Sequence, residues 1–143
     1  METTHPPIGY GSYATVREYM PPPSETEFPS IPLAIKLAVR PDCSASLDRE
    51  WTVGSYLPRT ENLLHFISHG ENSGKCSFII LPKLGKDLSC LVKFIGGSFS
   101  LATTLIAALE LLEGLTAFHA TGLVHCDIKP VCELFVNRTT TFT

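Results

Sequence analysis

A chain of 143 residues, 44% hydrophobic and 17% charged, is long enough for one buried core and lies outside the composition of disordered chains. Its net charge of -3 excludes a general electrostatic pull toward nucleic acid or anionic lipid, so any phosphate recognition must come from a local arrangement. Five cysteines (Cys43, Cys76, Cys90, Cys126 and Cys132) form no CxxC pair, which argues against a zinc knuckle or disulfide framework and for a reducing, intracellular setting, cytoplasmic or nuclear.

The opening METTHPPIGYGS lacks a basic region followed by an apolar run, so no secretory signal is expected. The apolar stretches read as charged or too short to span a bilayer, and no membrane association is expected. Apolar runs of strand length occupy residues 13–19 and 33–39, separated by the Pro-, Ser- and Glu-rich loop 20–32. A helix is predicted over 47–57, with Ser46 as N-cap and Pro58 as its stop. Two more strands follow at 63–68 and 77–81, with a turn at 71–74 between them and another at Gly96-Gly97. A longer helix starts near Ser100, carries Leu101, Leu105, Ala108, Leu112, Leu115 and Phe118 at steps of three or four, and ends before Gly122. The class is α+β, with antiparallel pairing among the strands.

Four places carry chemistry. In Ile8-Gly9-Tyr10-Gly11-Ser12-Tyr13-Ala14-Thr15-Val16, glycines two apart leave backbone N–H groups free to approach phosphate oxygens. A plain glycine hairpin has the same composition. A Walker loop is excluded, because no Gly-Lys-Ser/Thr follows and the chain runs on as a strand. The second place is Leu33-Ala34-Ile35-Lys36-Leu37-Ala38-Val39, where alternation sets Ala34, Lys36 and Ala38 on one face and the larger apolar residues on the other, core-facing side. By itself Lys36 reads as a solvated edge-strand lysine.

The third is Glu50, which shares a helix face with Leu47, Gly54 and Leu57. A carboxylate on the core side calls for a cation, and Lys36 is the expected partner. The fourth is the run from His119 to Pro130, in which Asp127 sits two residues from Lys129 in a loop after an apolar segment. An acceptor carboxylate beside a cation suits proton removal from a hydroxyl. A solvated Asp/Lys turn has the same short pattern.

Taken in order, these motifs resemble a eukaryotic-type protein Ser/Thr kinase domain, with His125-Cys126-Asp127-Ile128-Lys129-Pro130 as its catalytic loop. The short Lys36–Glu50 gap, the run Phe78 to Gly85 and the Ile-Lys-Pro ending are similar to the casein kinase one and vaccinia-related kinase branch. The resemblance implies an N-terminal lobe of antiparallel sheet plus one helix over 1–82 and a hinge at 83–86. The start of a helical C-terminal lobe with the catalytic loop would occupy 87–130, and an atypical tail 131–143.

It also implies ATP-dependent phosphorylation of protein substrates, with no nucleic-acid or membrane partner and no particular oligomeric state. Ile8, Gly9, Gly11 and Val16 would cover ATP, with Ala14 in place of a third glycine. Ala34 would touch adenine, Lys36 would hold phosphates and Glu50 would orient Lys36. Leu81 would be the gatekeeper and Leu84 the hinge donor to adenine. Asp127 would be the catalytic base and Lys129 a phosphate contact.

Two departures qualify the expected activity. Cys126 stands where an arginine reads activation-loop phosphate. Cys132 stands where an asparagine holds the Mg2+ that the family uses, and a thiol is a poor ligand for that ion. No Asp-Phe-Gly follows, so these residues alone are expected to be incomplete and inactive as a kinase. The alternative is a non-catalytic, pseudokinase-like fragment that binds nucleotide or a partner, and a second rival is a small-molecule phosphotransferase of related fold. His65 and His69 have no acidic neighbour in sequence and read as structural, and Trp51 as packing around the first helix.

Overall fold

The computed structural model describes residues 6–22 and 28–128. They fall into two compact units, one formed by Met1–Tyr56 with Leu64–Lys83 and the other by Leu57–Leu63 with Leu84–Thr143.

The first unit is built on a five-stranded antiparallel sheet in the order β1-β2-β3-β5-β4. Its strands are β1 (Pro7–Tyr10), β2 (Ala14–Tyr19), β3 (Leu33–Ala38), β4 (Ser68–Glu71) and β5 (Ser77–Pro82). A 3-10 turn, Pro41–Cys43, leads into helix α1 (Ser44–Tyr56), which packs on β5 and β3. Proline begins that turn, so α1 starts two residues before the expected Ser46 cap. It ends at Tyr56 because Leu57 precedes Pro58, and the proline ring disfavours helical backbone at the residue before it.

Strand β3 is the central strand, and both of its faces are buried, where the alternation predicted one. Ala34 and Ala38 join Ala14, Cys43, Leu47, Ile79 and Leu81 in a cluster beneath α1. Leu33 and Ile35 join Tyr19 and Ile80 in a second cluster covered by Phe28, Ile67 and Phe78. The small side chains of Ala34 and Ala38 therefore lie beneath the helix, not in an open face.

The predicted strand 63–68 is displaced: the ladder with β5 begins only at Ser68. The hairpin turn sets this register. Asn72 Oδ1 accepts from the backbone N–H of Gly74 at 3.0 Å and of Cys76 at 2.9 Å, and Lys75 takes a left-handed φ of 58°. Gly70 is required where it stands, since a Cβ there would come within 2.8 Å of the Phe78 ring. Residues 64–67 alternate in their packing, with Leu64 and Phe66 against the first cluster and Ile67 against the second, and Ile67 N donates to Ile80 O at 2.8 Å.

The second unit holds α2 (Leu88–Ile95) and α3 (Leu101–His119). Helix α2 was not anticipated, although both its ends are written in the sequence. Asp87 Oδ1 accepts from Cys90 N at 2.6 Å as N-cap, and Gly96 closes the helix at φ 69°. Helix α3 starts where expected, and Ser100 caps it, its Oγ accepting from Thr103 N at 3.1 Å. Gly114 is buried against the 57–63 segment, where a Cβ would lie 2.9 Å from the carbonyl oxygen of Asn62.

Leu101, Leu105, Ile106, Leu109 and Leu112 are exposed along α3. Contrary to expectation, this helix is long and apolar enough to cross a membrane by length and composition alone, a test that core helices of soluble proteins also pass. Glu110 and Glu113 lie in its second half, and Glu113 accepts from Asn62 Nδ2 at 2.6 Å. Carboxylates at that depth are costly in lipid.

Gly54 faces the Phe66 ring, and a Cβ built there would sit 2.4 Å from it. Helix propensity alone favours alanine by about 1 kcal/mol, whereas overpacking costs about 1–3 kcal/mol. Gly54→Ala is therefore expected to lower the urea midpoint, and a raised midpoint would show that packing at Phe66 does not limit α1.

Candidate functional site

Residues on one face of the sheet bring the candidate nucleotide-binding side chains of the first unit together. Val16 pairs with Lys36 across β2 and β3, and Ala34 pairs with Leu81 across β3 and β5. Val16, Ala34 and Leu81 all belong to the cluster beneath α1. Gly9 pairs with Val16 across the β1–β2 hairpin, and Gly11 N donates to Ala14 O at 2.8 Å to close its turn. Ile8 is exposed on β1.

The expected ion pair forms. Lys36 Nζ lies 2.6 Å from both carboxylate oxygens of Glu50. Glu50 reaches it because α1 lies over the sheet face that carries Ala34, Lys36 and Ala38, anchored by Leu47 one turn earlier. The side chains retain 29% and 39% of their exposure, so the pair is half-buried, not sealed in the core. Solvent screening then limits its contribution to stability to about 1 kcal/mol or less. What it fixes is geometry: a bidentate carboxylate holds the ammonium at one point on the sheet.

Two further polar contacts were not read from the sequence. Glu18 and Lys83 form an ion pair that ties β2 to the end of β5. His69 has the acidic partner that sequence proximity did not reveal, since its Nε2 lies 2.8 Å from Asp48 Oδ1. The His69 ring also stacks on Trp51 at 5.3 Å and 13°, and Trp51 stacks on Phe66 at 6.1 Å. Asp48 and Trp51, three apart on α1, were legible as sharing a helix face, but the strand that meets them was misplaced by several residues. Hydrogen bonds from Ser77 and then His69 hold the Asp48 carboxyl below the usual carboxylate range.

In the second unit, Asp127 lies in the irregular segment after α3, and its N–H donates to His125 Nδ1 at 3.3 Å. His125 packs on Phe118 of α3 at 5.7 Å, which ties this segment to the helix end. Cys126, between them, has a left-handed φ of 63°. Leu84 is half-buried in the extended segment after β5. Lys129 and Cys132 lie outside the described residues. Among the described residues, no three His, Cys, Asp or Glu side chains gather as a metal site.

With this geometry in view, sequence comparison finds distant homologues among protein kinases. Casein kinase I homolog 1 of Saccharomyces cerevisiae is 27% identical over 123 residues, covering 86% of this chain and 22% of that protein. Casein kinase I homolog 3 of the same yeast is 29% identical over 99 residues, covering 69% of this chain and 19% of that protein. A dual serine/threonine and tyrosine protein kinase of Danio rerio is 32% identical over 106 residues, covering 68% of this chain and 12% of that protein. No family model matches the chain. The chain is thus similar to protein kinases, casein kinase I homologues among them, and it spans about a fifth or less of the lengths of these relatives.

The lowered titration of Asp48 has a definite sign. A carboxyl depressed by folding adds stability above its unfolded value, about pH 4, and loses it as pH falls through the lower folded value. Asp48→Asn should therefore flatten the loss of melting temperature below about pH 4. An acid limb identical to that of the unaltered chain would remove Asp48 from the acid response.

Proposed function

We propose that the chain is a protein kinase-type unit whose sheet and first helix bind ATP, and that the family activity is phosphorylation of serine or threonine in protein substrates. The observation that carries this reading is the bidentate Lys36–Glu50 pair, on the sheet face that also carries Val16, Ala34 and Leu81 beside a glycine hairpin. In this reading Lys36 meets the phosphates, Glu50 keeps it extended toward them, and the partly buried Val16 lies against adenine, with the buried Ala34 and Leu81 as the floor behind it. Ile8, Gly9 and Gly11 cover the nucleotide from the hairpin, and Leu84 donates its N–H from a hinge at 83–86.

Gly9 supports the reading in a second way. A Cβ there would meet Val16 at 3.6 Å, an ordinary contact. Packing does not demand glycine at that point, whereas close approach of backbone to phosphate does. Asp127 would accept the proton of the substrate hydroxyl, with Lys129 as a phosphate contact.

Magnesium is the family's metal, and in phosphoryl transfer it neutralises charge developing on the phosphate oxygens. The described residues do not fit it, because no cluster of hard oxygen donors is present among them, and no step through magnesium is assigned to this chain. This favours a second reading for these residues on their own: a non-catalytic unit that binds nucleotide or a partner without transferring phosphate. The free thiols of Cys43, Cys76, Cys90 and Cys126 support an intracellular setting, cytoplasmic or nuclear.

Calorimetric titration with adenosine imidotriphosphate tests the reading. Lys36→Met keeps the stem and removes the charge, and should weaken binding by about tenfold or more. Equal affinity in the two proteins, or no binding by the unaltered chain, would contradict it.

A further inference from the structure

We infer that Asp48, His69 and Trp51 form a proton-sensitive clamp that holds α1 against the sheet and sets how firmly Glu50 grips Lys36. His69 is a positioning residue in this scheme. The consequence for nucleotide rests on the function proposed above, and the clamp itself does not.

Three observations carry it. Asp48 and Trp51 flank Glu50 in sequence on α1, and both engage the same histidine. His69 belongs to β4, an edge strand paired only with β5, so the contact fastens the helix to the sheet at a point away from the Lys36–Glu50 pair. The helix is thereby held to the sheet at Lys36, at His69 and at Ser77, whose N–H donates to Ser44 Oγ at 2.9 Å and which also hydrogen-bonds Asp48. A rotation or slide of α1 that breaks the Asp48 contact displaces the carboxylate of Glu50.

Two strands across from His69, in the register row that runs through Ile79, stands Lys36 with its partner Glu50. Helix α1 presents the Asp48 carboxylate to it, with Arg49 exposed on the helix. Strand β5 places Ile79 opposite and has no ionisable side chain between Ser77 and Pro82. On β4 itself, Glu71 lies two residues further along, exposed.

Hydrogen bonds from Ser77 and His69 hold Asp48 ionised through the neutral range. A histidine changes charge between about pH 5 and pH 8. Protonated, His69 makes an ion pair with Asp48 and lays a cation against the indole face; neutral, it keeps one ordinary hydrogen bond. The clamp is tighter on the acid side of that window.

Trp51 is the only tryptophan in the chain, so its emission reports this stack without admixture. Protonated imidazole quenches indole by accepting an electron from the excited ring. Lowering the pH of the unaltered chain should quench Trp51 in a one-proton step between about pH 5 and pH 8. The step should vanish in His69→Gln, which keeps a hydrogen-bonding side chain that does not titrate. In Asp48→Asn, which loses the carboxylate that holds the imidazole against the indole, the amplitude of the step should fall.

Affinity for adenosine imidotriphosphate supplies the second readout. From pH 8 to pH 6 the unaltered chain should gain about twofold to fivefold over His69→Gln, as more of it holds α1 in the competent position. Absence of the emission step, or its persistence in His69→Gln, overturns the clamp. An equal pH dependence of nucleotide affinity in both proteins overturns its positioning role.

If neither protein binds nucleotide, the function proposed above fails separately. The clamp then stands only if the emission step depends on His69 and His69→Gln lowers the melting temperature more at pH 6 than at pH 8. If His69→Gln does not fold, Asp48→Asn decides, and an emission step of undiminished amplitude there overturns the proposal.

Discussion

The arrangement of the first unit turns on one requirement: a carboxylate placed on the inner face of α1 must meet a cation. Lys36 on the central strand meets that requirement, and the result orders its surroundings. The helix has to lie over the face of β3 that carries Ala34 and Ala38, because only that face brings the ammonium within reach. The small alanines then become core residues under the helix, and the larger Leu33 and Ile35 fill the opposite side. Half-exposed, the pair adds little stability, so its importance lies in where it holds two charges.

Apolar packing does most of the holding. Leu47 anchors the helix in the cluster under α1, and Phe66 occupies the space that Gly54 leaves open. Trp51 stacks between these apolar contacts and the polar one at His69. Every residue that fixes α1 therefore also bears on Glu50. This is the physical sense in which a sheet contact remote from Lys36 can matter to it.

Much of this was legible before any coordinates, and for stated reasons. Apolar runs of strand length located β2, β3 and β5, and the shared helical face of Leu47 and Glu50 led to the pairing with Lys36. The failures have equally local causes. An apolar run at 63–68 drew the fourth strand too early, because the register depends on the Asn72 turn and on the space Gly70 leaves for Phe78. That displacement hid the His69–Asp48 contact. Helix α2 was missed because its eight residues are short, although Asp87 and Gly96 are sound end signals. Burial on both sides of β3 was unreadable from a single strand, since it depends on which neighbours flank it and what covers each face.

The similarity to protein kinases and the Lys36–Glu50 geometry support one account, in which that pair presents a fixed cation to nucleotide phosphate. A double-mutant cycle on adenosine imidotriphosphate affinity, using Lys36→Met, Glu50→Gln and both together, tests it most directly. The account predicts strong non-additivity: once Lys36 is removed, replacing Glu50 should have almost no further effect. Additive losses would mean that the two residues act separately, and the central claim would be wrong.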